Sequence, residues 1–177
     1  MTRSILASLS ALCLLASSPL VRAETKFLDF ASLDPAGLKG ENDGTPTLVE
    51  DGGAKMIKLS FPASKGYPGF DIPAPNGAWD LSSVSGVVAE VTNTSSEKIG
   101  ISLRVENAGD WKKSPWNANV VWLAPGATGS VKVKFGESFG KPGFALDPAA
   151  VTKIKIFVNA PSAEGAVTVN TIEGFDG

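Results

Sequence analysis

Histidine is absent from all 177 residues, and cysteine and tyrosine occur once each. Without histidine there is no Ser-His-Asp or Cys-His nucleophile, no His-ligated zinc and no imidazole base. The one cysteine, Cys13, lies in "MTRSILASLSALCLLASSPLVRA", residues 1–23. That segment has an early Arg3, an apolar run through Leu15, the breakers Ser17, Ser18 and Pro19, and a Val21-Arg22-Ala23 end. It reads as a secretory signal peptide, too short in its core to span a bilayer. Leu12 stands before Cys13 where a lipoprotein signal wants a small residue, so lipidation is not expected. Cleavage after Ala23 leaves 154 residues with no thiol, and neither a disulfide nor a soft metal site can form.

Positive charge is also scarce. Arg3 and Arg22 leave with the signal, so 16 basic residues become 14 against 18 acidic, a net charge of −4. No basic excess exists to hold a phosphate backbone, and nucleic acid is not expected as a partner. Nor is membrane insertion. What remains is carboxylate chemistry, oxygen-ligated metal, or binding without chemistry. A chain of about 150 residues buries roughly 70% of its unfolded surface, enough for one domain, residues 24–177, without staples.

What the sequence does hold is period-2 alternation. "KIGISLRVEN" sets Ile99, Ile101, Leu103 and Val105 against Ser102, Arg104 and Glu106. "SVKVKF" opposes Val131, Val133 and Phe135 to Lys132 and Lys134. "TKIKIFVN" opposes Ile154, Ile156 and Val158 to Lys153, Lys155, Phe157 and Asn159. "AVTVNTI" places Val167, Val169 and Thr171 on one face. With "KFLDFA", "AKMIKLSF", "SGVVAEVTN" and an extended segment at Tyr67–Ile72, seven or eight antiparallel strands are expected. "PAGLKG" and "DPAAVTK" each predict one helical turn after an Asp, with Pro at its first position. Strands at about ten-residue intervals, with turn signals between them, indicate an all-β sandwich or barrel.

Three of the four Trp fall in "NAGDWKKSPWNANVVW", residues 107–122. A sugar ring offers one apolar C–H face and an edge of hydroxyls, so its site wants an exposed aromatic plane beside hydrogen-bonding groups. Trp111 and Trp116 supply the planes, and Asn107, Asp110, Asn117 and Asn119 the polar rim. Both Trp are expected in a polar loop, where they either grip a ligand or fold back over the sandwich edge. Trp122 belongs to the following strand. If Val121 and Leu123 face the core, Trp122 faces outward and can floor a groove, and a one-residue slip reverses this. Arg104, the one arginine left after cleavage, is suited to a pair of sugar hydroxyls or to an ion pair with Glu106. Trp79, with Asp80 capping its turn, is expected to pack structurally. Lys132, Lys134, Lys153 and Lys155 are expected on outward, solvated faces.

"YPGFDIPAPNGAWDLSSVSGVVAEVTNTSSEKIGISLRVENAGD", "LAPGATGSVKV" and "GKPGFALDPAAVTKIKIFVNAP" together resemble the β-sandwich module that precedes the catalytic barrel of secreted agarases. The resemblance covers about residues 26–173. It implies a galactose-binding-like jelly roll whose relatives mostly bind sugar without cleaving it. It also brings Tyr67 toward the ligand edge. Sandwiches of this group often hold a structural calcium between first and last strands, which points to Asp29 and Asn170. Only oxygen ligands are present, favouring Ca²⁺ over zinc. The chain has no catalytic barrel, so agarase activity is not carried over. The expectation is an exported (periplasmic or secreted), non-catalytic carbohydrate-binding module for a polysaccharide or oligosaccharide, one such as the galactan agarose, requiring no cofactor. A protein-interaction sandwich is the alternative, and a small enzyme using carboxylates a third.

Overall fold

The computed structural model describes residues 24–110, 112–113 and 115–177. The segment read as a signal peptide, residues 1–23, and Trp111 lie outside the described residues. In chain order the strands are β1 (Glu24–Thr25), β2 (Lys39–Glu41), β3 (Thr45–Asp51), β4 (Ala54–Phe61), β5 (Gly69–Pro73), β6 (Gly86–Asn93) and β7 (Ile99–Asn107). Then follow β8 (Trp116–Leu123), β9 (Thr128–Lys134), β10 (Glu137–Ser138), β11 (Lys141–Pro142), β12 (Val151–Val158) and β13 (Gly165–Phe175). No helix among the described residues is long and apolar enough to cross a membrane.

Two antiparallel sheets face each other. One runs β3-β4-β13-β6-β9, with β1 added to β13, and the other runs β2-β5-β12-β7-β8. The alternating strands put every second side chain into the space between. Ile57 and Leu59 of β4, Val87 and Val91 of β6 and Val167 and Val169 of β13 meet Phe70 and Ile72 of β5, Ile101 and Leu103 of β7 and Ile154 and Ile156 of β12, all at 1% exposure or less. Each such side chain stabilises the sandwich by roughly 1.5–3 kcal/mol of transfer free energy. The architecture is the expected all-β, antiparallel jelly-roll sandwich.

Local chemistry explains both agreements and departures. Asp34 and Asp147 accept hydrogen bonds from Ala36 N (3.0 Å) and Ala149 N (3.0 Å), and Pro35 and Pro148 begin single 3-10 turns, as the sequence predicts. "KFLDFA" is not a strand. Asp29 instead accepts from Ala31 N (3.2 Å) and caps a 3-10 turn at Phe30–Ser32, which lets Leu28 and Phe30 close one end of the core. Thr171 is exposed rather than core-facing. The pairing of β13 with β6 shifts between Val169 and Thr171, and the extra residue turns Ile172 inward at 1% exposure. The other expected strands form, and β1, β2, β3, β10 and β11 are additional; four of these are short, and β3 ("TPTLVED") lacks the clean alternation of its neighbours.

Trp79 is 9% exposed, bridges to Val151 and meets Phe27 edge-on at 5.6 Å, while Asp80 accepts from Ser82 N (3.0 Å). The structural role expected of that turn holds.

Several surface carboxylates tie loops together. Glu97 accepts hydrogen bonds from the Ser162 hydroxyl, from Ser162 N (2.8 Å) and from Ala163 N (3.1 Å). The Ser162 side chain and then the Ala163 amide hold its pKa below the ordinary 4.5. Asp80 is lowered by Ser82, Asp29 by the Ala31 amide and Lys26, and Glu50 by Lys55. A carboxylate depressed in the folded state contributes stability that is complete above its unfolded pKa and is lost as pH falls through the folded value. The melting temperature is therefore expected to be flat from about pH 7 to 5 and to fall below about pH 4. Thermal scans of Glu97→Gln should show a shallower acid decline than the wild type.

Candidate functional site

The outer face of the β2-β5-β12-β7-β8 sheet carries the polar half of the alternation. Cross-strand register fixes which groups meet. Arg104 lies opposite Lys155, Glu106 opposite Lys153, and Ser102 opposite Phe157. Asp71 of β5 lies opposite Lys155 on one side and Lys39 on the other. On the far side, Trp116, Ala118, Val120 and Trp122 of β8 lie opposite Glu106, Arg104, Ser102 and Gly100. Ser102, Arg104 and Glu106 of β7, Lys153, Lys155 and Phe157 of β12, and Glu41, Tyr67 and Phe139 line an open groove of about 610 Å³.

Its floor is a network of three cations and three carboxylates. Lys153 Nζ lies 3.0 Å from Asp71 Oδ2 and 3.3 Å from Glu106 Oε2. Lys155 pairs with Glu41 and stands 3.6 Å from Asp71 Oδ1. The Arg104 fork closes on Glu106 Oε1 through Nε and Nη2. Asp71 Oδ1 is buried and accepts no hydrogen bond, so the Lys155 charge at 3.6 Å acts on it without a bond. For Lys153, burial works against the charged form, but the Asp71 hydrogen bond and the Glu106 and Asp71 charges outweigh it and raise the pKa. Lys155 is lowered by burial.

Aromatic rings edge this floor. Tyr67 is 56% exposed and stands edge-on to Phe157 at 5.7 Å. Its loop is held by Asn42, whose Nδ2 donates to the Tyr67 carbonyl (3.0 Å). Leu123 is buried, Val121 packs against the core, and Trp122 accordingly faces outward at 55% exposure. Its indole lies over Gly100, where an added Cβ would stand 3.0 Å from the ring. Gly100→Val is expected to lift the indole off the sheet. A red-shifted, more quenchable Trp fluorescence with little change in melting temperature would show this.

The Trp-rich stretch needs correction. Trp116 is not a loop residue but the first residue of β8, half-buried, edge-on to Phe144 at 5.3 Å and with the Arg104 guanidinium 5.5 Å from its ring centre. The expected polar rim largely turns inward. Asn117 is fully buried; its Nδ2 donates to Phe144 O (2.9 Å) and its Oδ1 accepts from Gly136 N (2.8 Å). Asn107 clamps the Asp147–Ala150 turn, donating to both carbonyls and accepting from Asp147 N (2.8 Å). Asn119 donates to Lys132 O (2.8 Å) on the side away from the groove. Asp110 accepts from Lys112 N (3.0 Å) within its own loop. These side chains satisfy backbone groups that a loop and a strand start leave unpaired. Trp111 lies outside the described residues.

Asp29 and Asn170 do line one shallow groove, but as a calcium pair they do not fit. The Asp29 carboxylate holds Ala31 N and pairs with Lys26 at 3.2 Å, and Lys55 lines the same groove. The Asn170 amide donates to Glu90 (3.0 Å) and Thr92 (3.1 Å). Among the described residues no cluster of three or more acidic side chains is arranged for a metal. Lys26 and Lys55 offset the two carboxylates that line this groove, Asp29 and Glu173, and leave no net negative charge to hold a divalent ion.

Sequence reasoning passed over Asp71, Glu41 and Phe139. A lone Asp inside the apolar strand "GFDIP" was the available signal for the first. The other two depend on β2 and β10, which carry no pattern of their own.

No protein-family profile matches the chain, and no curated protein matches it in sequence. Solved structures do match in shape. An exo-β-agarase superposes with a TM-score of 0.62 at 14% identity, over 85% of this chain and 24% of its own. A second agarase gives 0.65 at 12% identity, over 87% and 24%. The chain thus spans about a quarter of the length of the agarases it matches. A family 11 carbohydrate-binding module from Clostridium thermocellum, solved with a β-1,3-1,4-mixed-linked tetrasaccharide, gives 0.56 at 16% identity, over 87% of this chain and 95% of its own. The fold of this chain is therefore the jelly-roll β-sandwich found in carbohydrate-binding modules and in a quarter-length stretch of agarases.

Proposed function

We propose that the chain is an exported, non-catalytic carbohydrate-binding module that holds a glycan in the groove over β12 and β7, on the face that β8 continues. One observation carries this reading: the exposed ring of Tyr67 lines a groove whose floor charges are already paired, and the exposed indole of Trp122 lies over Gly100 on the same sheet face. Such a floor offers fixed hydrogen-bonding groups, and the rings offer apolar faces for C–H stacking. The carboxylates are each tied to a cation rather than set apart as an acid and a nucleophile flanking a bond. The shape shared with carbohydrate-binding modules supports the class, and the agarase-like motifs support a galactan such as agarose as the ligand. Export rests on the leader at residues 1–23.

Retention of the purified protein on insoluble agarose, lichenan, xylan, cellulose, chitin and alginate tests the reading. At least one polysaccharide should retain the wild type and release Trp122→Ala/Tyr67→Ala. Retention on none overturns it, and a protein partner captured through the same rings replaces it. Release of reducing ends by the protein alone would make it an enzyme.

A further inference from the structure

The hairpin at residues 135–144 carries a feature that folding alone does not require. Its two-residue turn is Phe139-Gly140, with φ of +52° and +73°. A turn with both central residues at positive φ is the place for Asn-Gly or Gly-Gly, because the left-handed region crowds a Cβ against the backbone. A bulky Phe there is a strained choice. Nor does the strain bury the ring, for Phe139 remains 51% exposed and has no stacking partner among the described residues.

The hairpin is also pinned. Phe139 N donates to Ala118 O (2.9 Å), and Gly143 N donates to Gly136 O (2.8 Å). Fully buried Asn117 accepts from Gly136 N and donates to Phe144 O, so one side chain ties both ends of the hairpin to β8. A strained, exposed ring on a fixed support is arranged for contact with something outside the chain.

Its position says what. Phe139 and Tyr67 both line the groove. Tyr67 rests on Phe157 of β12, Phe139 is bonded to β8, and β7 with Arg104 runs between. The two rings thus rise from either side of β7, Tyr67 level with Ser102 and Phe139 level with Arg104.

We infer that Phe139 is a ligand-contacting residue, the second jaw of an aromatic clamp. In this clamp a single hexopyranose chain stands with its hydroxyl edge toward Arg104 and Lys155, and Asn117 is the positioning residue that fixes the jaw. The inference rests on the glycan reading of the groove and adds the residue and the orientation of the sugar.

The test pairs stability with binding. Phe139→Asn supplies the residue the turn prefers, so the melting temperature should rise by about 2–4 °C. In affinity electrophoresis through agarose, lichenan or xylan, the same variant should bind about tenfold more weakly than wild type. Phe139→Tyr, which keeps a ring, should bind as wild type does. A lower melting temperature for Phe139→Asn with unchanged retardation would mean that the ring merely covers the seam between β8 and β9, and would overturn the clamp alone. Wild type retarded by none of the polysaccharides would overturn the groove reading and the clamp with it.

Discussion

Asp71→Ala is expected to destabilise the protein by about 3–5 kcal/mol, more than any other single change on the outer sheet face. Asp71 is 6% exposed and stands between two cations, Lys153 at 3.0 Å and Lys155 at 3.6 Å. Removing it leaves two partly buried ammonium groups with Glu106 and Glu41 as their remaining counter-charges. Each partly buried ammonium is then under-compensated, so truncating one partner is harsher than replacing the whole network. Urea denaturation should show a lower midpoint with an unchanged slope. The pH dependence follows from the two lysines with opposite signs. Lys153, raised in the folded state, contributes stability that is complete below its ordinary 10.5 and is lost as pH climbs through the higher folded value. Lys155, lowered by burial, is disfavoured in its charged form and becomes less of a burden as pH rises. Asp71→Ala should reduce the alkaline stability owed to Lys153, and Asp71→Asn, which keeps a hydrogen-bond acceptor, should fall between the two.

The second large effect is on binding. Trp122→Ala is expected to weaken glycan binding by about 30-fold, or roughly 2 kcal/mol, while the melting temperature stays within about 1 °C of wild type. The indole is 55% exposed and lies flat over Gly100, so its loss opens the platform without emptying the core. Trp79→Ala is the contrasting control. That ring is 9% exposed against Phe27, and its removal should cost about 3–5 kcal/mol of stability with no specific effect on affinity. Calorimetric titration with soluble β-1,3-1,4-glucan or agaro-oligosaccharides would separate the two. Equal affinity for wild type and Trp122→Ala would remove Trp122 from the site.

The fold was legible where one face of a strand is buried and the other wet. β4 and β9 follow their alternation, and the outward set Lys153, Lys155 and Phe157 could be read directly from "TKIKIFVN", although Lys155, expected to be solvated, is 8% exposed within the ion-pair network. Legibility failed where a local hydrogen bond or an inserted residue overrides the pattern. Asp29 converts "KFLDFA" to a turn, and the shift between Val169 and Thr171 turns Ile172 inward. The site was half visible for the same reason. The outward face of Arg104 follows from alternation, that of Trp122 from Val121 and Leu123 pointing inward, and Tyr67 was suggested by the agarase resemblance. Asn107, Asn117 and Asn119 looked like a polar rim, because sequence does not reveal whether an amide faces water or a backbone group. The charged floor joins residues 41, 71, 104, 106, 153 and 155, a pairing that only the strand order β2-β5-β12-β7 creates.

Glycan binding on the outer face of β12, β7 and β8 is most directly tested by two-dimensional NMR of ¹⁵N-labelled protein titrated with β-1,3-1,4-glucan and agaro-oligosaccharides. Four Trp give four indole N–H signals, assignable by single substitution. Binding in the groove predicts that the Trp122 and Trp116 indoles shift, along with backbone amides of β7, β8 and β12, while the buried Trp79 indole stays in place. Saturable shifts confined to the opposite sheet, or none with any glycan, would contradict it.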